Sequence, residues 1–504
     1  MSKNNKGNVL AIAIMFFLFA MIAFVTGLQN PFGIVAKEQF GATNAMSQLG
    51  NAANFIAYAF MGLPAGFLLK RRGYKFTALA AVSIGFIGVG ITYLSGVVGE
   101  FWVYLLGAFV SGFSMCMLNT VVNPMLNTLG GGGNRGNQLI QLGGSCNSLA
   151  ATIVPVLAGY LMAAEVGKKA SIADVNPALY IAMGVFALAF IIIVFSRIPE
   201  PELEAARASM EKKDKEEGTF SLIKGALSHR NLVFGLIAIF LYVGIEVGIP
   251  NTLNNYLTTE NKAQLTEKIG KNKDMLNSAE LVERAKVDTT VFAPKDFNLA
   301  ETLKSKNVTT VAQLDSLVKV ENAAYQTTID NPDYKGGLGM DKGGAGAVVA
   351  IYWLLMLVGR LIGGAVGGKV SSRTMIAMVS LVAMVLIAVG ILLPGTMVKF
   401  PSLDSQSFTF SMVEIPLGVV LFVLCGLCTS VMWGAIFNLA VEGLGKYTSI
   451  ASGLFMVMVC GGGLLPLAQG AVVDAAGFMN SYWVLFAALA FILWFGLFGS
   501  KVKK

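Results

Sequence analysis

Apolar residues in this chain come in runs of twenty or more with few polar interruptions, at 9–35, 47–69, 76–97, 101–127, 137–163 and 177–196. After a charged break they resume at 232–257, 343–367, 374–394, 415–440, 448–473 and 480–499. A helix crossing a bilayer core of ~30 Å needs about 20 such residues, whereas an outer-membrane strand alternates apolar and polar positions over about ten. The pattern predicts an all-α integral membrane protein with twelve transmembrane helices in two six-helix halves. The opening run, Val9–Val25, exceeds the core of a signal peptide, about 7–15 residues, and no small-residue cleavage site follows it. It is read as a retained first span.

Two hydrophilic segments interrupt the pattern. Segment 197–230 holds seven basic and seven acidic residues and reads as a solvated, partly helical linker. It divides the chain into an N-terminal half, 1–196, a cytoplasmic linker, 197–231, and a C-terminal half, 232–504. The second segment, 259–341, contains the helix-like stretches Ala279–Val287 and Val311–Val318 and is nearly charge-balanced. It reads as an extracytoplasmic helical insertion between spans 7 and 8, either an added subdomain or a module that captures a ligand or partner. The halves echo each other: Pro155-Val-Leu-Ala-Gly159 in span 5 against Pro466-Leu-Ala-Gln-Gly470 in span 11. The short basic loops Lys70–Lys75 and Gly368–Arg373 also correspond. Such repeats are the mark of transporters that rock around a midplane site.

Composition sharpens this reading. Of 504 residues, 55% are hydrophobic and 13% charged, where a soluble domain carries about 25%. The mean hydropathy is +0.67. A soluble enzyme, a disordered chain and a fibrous protein are excluded. The net charge of +8 is unevenly placed: with the N-terminus inside, 20 of the 37 Lys and Arg fall in cytoplasmic segments. The short outer loops hold just Lys37, Lys168, Lys169 and Lys399. The positive-inside bias puts both termini in the cytoplasm and the chain in the cell (inner) membrane. The charge is anchoring charge, without the basic stripe a nucleic-acid partner requires.

Chemistry-bearing residues are few. Cys116, Cys146, Cys425, Cys428 and Cys460 lie inside apolar runs, and the Cys425/Cys428 pair has no second pair or histidine to complete a zinc site. His229 is the single histidine and is read as solvated beside Arg230. No catalytic residue, metal site or cofactor is predicted, and no Ser/His/Asp set or carboxylate pair supports a membrane enzyme.

Polar residues inside spans are costly and tend to face a bundle interior or cavity. Asn51, Asn54 and Tyr58 in span 2 share one helical face, as do Asn119 and Asn123 in span 4. With Asn30, Gln141, Asn147, Asn251, Trp353, Trp433 and Asn438 they form the candidate substrate-binding set. Amides both donate and accept, and aromatic rings stack on sugar C–H faces, so the set suits a neutral polyhydroxylated ligand. Any single amide is equally suited to bonding one helix to another. Glu246 is the one carboxylate well inside a span. It is a candidate for proton coupling or for pairing with Arg360, the one intramembrane cation and a candidate gating residue.

At these residues the chain resembles the fucose–galactose–glucose/proton symporter family of the major facilitator superfamily. The specific stretches are Ser430–Thr448, Gly461–Gly470, Tyr242-Val-Gly-Ile-Glu-Val-Gly248, Pro64-Ala-Gly66 with Gly73-Tyr-Lys75, and Asn123-Pro124. The resemblance covers the twelve spans and not 259–341. It implies the major facilitator fold and sugar transport. It also implies one carboxylate in span 1 and another in span 4, where this chain has Asn30 and Asn119, and an Asn in span 10 where it has Thr429. The family's coupling chemistry therefore does not carry over at the first two positions.

The leading reading is a sugar permease working by alternating access. Its partners are the sugar, membrane lipid and a coupling proton or sodium ion, with the protein a monomer. The other readings are a carrier for a nucleoside or sugar derivative, a facilitator without proton coupling, and a transporter-like sensor using the insertion.

Overall fold

A computed structural model of the chain describes residues 3–40, 46, 49–130, 133–161, 175–200, 219–285, 310–366, 370–393, 395–403, 409–444 and 447–501. Among them, eleven helices are long and apolar enough to cross a membrane, and a shorter apolar stretch, Leu142–Val154, occupies the fifth position. The first half comprises span 1 (Lys3–Phe40), spans 2 and 3 (together Leu49–Val98), span 4 (Phe101–Leu129), span 5 (Gly133–Leu161) and span 6 (Asn176–Phe195). The second comprises span 7 (Arg230–Thr258), span 8 (Lys342–Val366), span 9 (Ser372–Leu392), span 10 (Leu417–Val441), span 11 (Thr448–Ala476) and span 12 (Phe478–Trp494).

Helix is the form that satisfies every backbone group within its own segment, as lipid demands. Inward faces of these helices pack against one another and outward faces meet lipid. Span 6 buries Ala178, Ala182, Phe186, Ala189 and Ile193 along one stripe. It leaves Ile181, Leu188, Ile191 and Phe195 outside, apolar residues suited to lipid.

Spans 2 and 3 join at Gly73, whose φ of 83° and ψ of −180° lie in a region nearly closed to side-chain-bearing residues. The helix that restarts there exposes backbone donors, and Glu200 answers them, accepting from Tyr74 N at 2.6 Å and Lys75 N at 2.9 Å. Lys75 Nζ in turn donates to Val194 O and Ser196 O, both at 2.8 Å, closing the end of span 6. The second half repeats the device. Arg373, opening span 9, donates to Ser500 O at 3.3 Å beyond span 12 and lies 3.6 Å from Glu442.

Three features depart from uninterrupted spans. Span 10 is two helices, Leu417–Thr429 and Met432–Val441, and span 11 is Thr448–Met458 and Gly461–Ala476. Between spans 9 and 10, Met397–Leu403 (β1) pairs antiparallel with Phe410–Pro416 (β2), from Met397↔Pro416 to Leu403↔Phe410. Ser402 on β1 donates to Gly344 O at the start of span 8. His229, expected in solvent, is half-buried instead. Its Nδ1 lies 3.1 Å from Gly225 O at the end of helix Thr219–Leu227, and its ring is 5.6 Å from that of Tyr447. The rest of the linker, 201–218, lies outside the described residues.

The insertion forms a second compact unit built on Tyr256–Asp341. Helices Lys262–Ala285 and Val311–Asp330 pack through Met275, Ala279, Leu314 and Val318. Thr310 and Gln313 form a capping box at the start of the second helix. Lys262 Nζ closes its end, donating to Ile329 O and Asn331 O at 2.7 and 2.9 Å.

The Gly73 conformation gives a direct test. Gly73→Ala is expected to destabilise the protein by about 1–3 kcal/mol, read as a lower thermal midpoint in detergent. Gly66→Ala, where an added Cβ meets nothing within 4 Å, leaves the midpoint in place.

Candidate functional site

Two prolines begin the site. A proline inside a helix has no N–H, so the carbonyl four residues earlier loses its donor. Pro250 in span 7 frees the carbonyl of Glu246, and Tyr352 Oη of span 8 donates to it at 3.2 Å. Pro466 in span 11 frees the carbonyl of Gly462, and Asn51 Nδ2 of span 2 donates to it at 3.0 Å. The second bond joins the two halves. Small residues let the chains approach closely there: a Cβ on Gly463 would fall 2.7 Å from the backbone of Ala52.

Around Glu246 a charged cluster assembles. Arg360 Nη2 lies 3.3 Å from Glu246 Oε1, with side chains 12% and 15% exposed. The guanidinium therefore points into the bundle rather than toward an interface. Its Nη1 donates to Gly144 O at 2.6 Å and Ser148 Oγ at 2.8 Å, both on span 5 of the other half. The Tyr242 hydroxyl lies beside the Glu246 carboxyl, short of full hydrogen-bond geometry. Tyr352 Oη also pairs with Thr429 Oγ1 at 3.1 Å. Two aromatic rings extend the cluster: Trp433 packs edge-on to Tyr242 with centroids 6.2 Å apart, and Trp353 edge-on to Tyr352 at 5.3 Å.

The first half supplies neutral polar groups. Asn119 Nδ2 donates to Tyr58 Oη at 3.0 Å, and Asn123 Nδ2 to Asn119 O at 3.0 Å. Tyr58 stacks on Phe55 at 5.9 Å. Phe55 in turn approaches Gly462 and Val243: a Cβ on Gly462 would sit 2.8 Å from the Phe55 ring and 2.9 Å from Val243. Span 2 thus meets spans 7 and 11 one residue from Tyr242.

The candidates separate accordingly. Asn119, Asn123, Trp353 and Trp433 are partly exposed, and Tyr58 pairs with Asn119 from a buried position. Asn51 and Asn54 are buried and engaged in packing, Asn54 Nδ2 donating to Ala108 O at 3.2 Å. Asn147 Nδ2 bonds Phe19 O of span 1 at 3.0 Å. Asn251 is buried one residue beyond Pro250. Asn438 is exposed on the second helix of span 10. The side chains of Asn30 and Gln141 lie outside the described residues. Gly144 and Ser148 escaped sequence reasoning, since a backbone carbonyl and a serine in a small-residue run carry no signal. The proline rule, by contrast, marks the carbonyls of Glu246 and Gly462 from sequence alone. All five cysteines are free, and Cys425 and Cys428 are buried in span 10.

Tyr352→Phe leaves the Glu246 carbonyl without its donor in a dry bundle. It is expected to cost about 1–3 kcal/mol, seen as a lowered thermal midpoint of the purified protein.

Residues 14–266 match the profile described as Major Facilitator Superfamily, half of the chain. A glucose/galactose transporter of Brucella abortus is 26% identical over 99% of this chain and 96% of its own length. A putative glucose/galactose transporter of Helicobacter pylori is 25% identical over 99% and 98%. Among solved structures, the E. coli fucose:proton symporter superposes with a TM-score of 0.61 at 17% identity, covering 98% of this chain and 100% of that one.

Proposed function

The chain belongs to the major facilitator superfamily, and from that premise we propose that it is a permease for a monosaccharide or related neutral sugar, driven by a proton gradient. The observation that carries the reading is the site's division. One half offers the Asn119 and Asn123 amides with Tyr58, and the other offers Trp433, Trp353 and a carboxylate. Amides exchange hydrogen bonds with hydroxyls, and the tryptophan faces cover the apolar side of a sugar ring. The full-length likeness to proteins named glucose/galactose transporters supports the same substrate class. Asn51, whose donor spans the halves to Gly462, has a bond that must open and close as they rock. The protein sits in the cell membrane with both termini cytoplasmic, the arrangement that puts the basic loops around Lys75 and Arg373 inside.

Glu246 serves the proton. With Asn30 and Asn119 neutral, it is the carboxylate inside the spans that faces the aromatic cluster. A proton from water on one side neutralises it, and the reoriented carrier releases that proton to the other.

Proteoliposomes loaded with buffer and given labelled monosaccharides test both parts. Saturable uptake is expected, and Asn119→Ala or Trp433→Ala is expected to reduce it tenfold or more, on the order of 1.4 kcal/mol of binding each. Uptake unchanged in both variants would place the sugar elsewhere.

Under an imposed pH gradient, accumulation above equilibrium is expected from the wild type and is lost in Glu246→Gln, whose amide mimics the protonated acid. Wild-type uptake indifferent to the gradient would end the assignment of Glu246.

A further inference from the structure

Arg360 contacts both halves at once. It binds the carboxylate of its own half through Nη2, and through Nη1 the Gly144 carbonyl and Ser148 hydroxyl of span 5. We propose that Arg360 is the positioning residue that ties protonation of Glu246 to separation of the halves, a role that rests on the proton-coupled reading above. Arginine stays charged at every working pH. At 12% exposure its charge is tolerated because Glu246 faces it. When Glu246 takes a proton from water on the open side, the guanidinium is left an unpaired charge in a dry place and moves toward solvent. Its two bonds to span 5 break as it leaves. When the proton departs on the other side, the ion pair reforms and the grip on span 5 returns.

The surroundings single out this pair. The titratable and charged groups facing Glu246 among the described residues are Tyr242 on its own helix and Arg360 and Tyr352 on span 8. Cys425 of span 10 faces Tyr352. Span 5 contributes a neutral hydroxyl and a carbonyl, and among the described residues no second anion holds the guanidinium in place. Arg360 also sits at a joint. Gly359 packs against Ser430 and Gly363 against Val431, the two residues between the helices of span 10. Motion at Arg360 is therefore delivered where span 10 is already discontinuous.

The test reads the distance between halves rather than transport. Spin labels at R71C and T374C, exposed positions beside the basic loop of each half, are placed in a C146S background in lipid nanodiscs. The wild-type background is expected to shift its distance distribution between alkaline and acidic pH. Glu246→Gln should show the acidic distribution at both. Arg360→Lys, which lacks the two separately aimed nitrogens that reach Glu246 and span 5, should lose the pH dependence. Ser148→Ala, a mild change that keeps the charges, should shift the ratio of the two populations at alkaline pH about tenfold. Glu246→Gln or Ser148→Ala responding to pH as the wild type does would overturn the proposal, as would a wild type whose distance ignores pH. A protein that moves no labelled sugar yet shows the Glu246-dependent shift keeps the latch and loses the sugar reading.

Discussion

A carbonyl oxygen without a donor is hard to keep inside a membrane, and two prolines in this chain create such oxygens at the places that matter. Pro250 strips the donor from Glu246 O, and Pro466 strips it from Gly462 O. Water is absent from the hydrocarbon core, so each oxygen must find a side chain on another helix. Tyr352 supplies one and Asn51 the other. The first bond sets the tyrosine beside the carboxylate and fixes the register of span 8 on span 7. The second fixes span 2 on span 11 across the boundary between halves. A missing helical hydrogen bond and a contact between helices are thus the same feature seen from two sides.

The ion pair between Glu246 and Arg360 is built on that register. Two charges 3.3 Å apart and nearly enclosed are stable only as a pair, because removing either partner from a buried pair costs about 3–5 kcal/mol. Arg360 reaches Glu246 because Gly359 and Gly363 let span 8 lie close against the joint of span 10. It reaches span 5 because the acceptor there is a backbone carbonyl beside a glycine. Charge, close packing and discontinuity converge within a few residues, which is where a carrier needs both affinity and movement.

The twelve apolar runs, the two halves and the helical insertion were legible because each rests on composition summed over many residues. Both options for Glu246 were visible, proton acceptor or partner of Arg360, and the structure places the carboxylate 3.3 Å from the guanidinium. The span breaks at Ser430–Val431 and Val459–Cys460 were not visible, since neither contains a residue that stops a helix. The hairpin of β1 and β2 falls where the sequence reads as an outer loop, because Pro401 and several polar residues dilute its alternation. Asn51, Asn54 and Tyr58 do share a face, but helical spacing says nothing of what stands opposite. Asn54 meets a carbonyl of span 4, Asn51 a carbonyl of the other half, and Tyr58 the amide of Asn119. Sequence marks a polar face; the neighbour decides whether that face is a site or a seam.

The halves repeat each other in their frame and differ in their chemistry. Lys75 and Arg373 occupy matching positions, each closing the end of the sixth helix of its half through main-chain carbonyls. That device needs only a cation near a helix C-terminus, so either basic residue serves. The polar interior follows no such symmetry. The first half keeps neutral amides along spans 2 and 4, and the second adds the carboxylate, the guanidinium and two tryptophans to its own amides on span 7. Neutral amides bind hydroxyls without regard to pH, and a carboxylate does not. In the proposed proton-coupled reading, solute binding and proton binding then act on the same boundary between the halves. Arg360 crosses that boundary to Gly144 and Ser148, so the proposed coupling converges on the seam between spans 5 and 8.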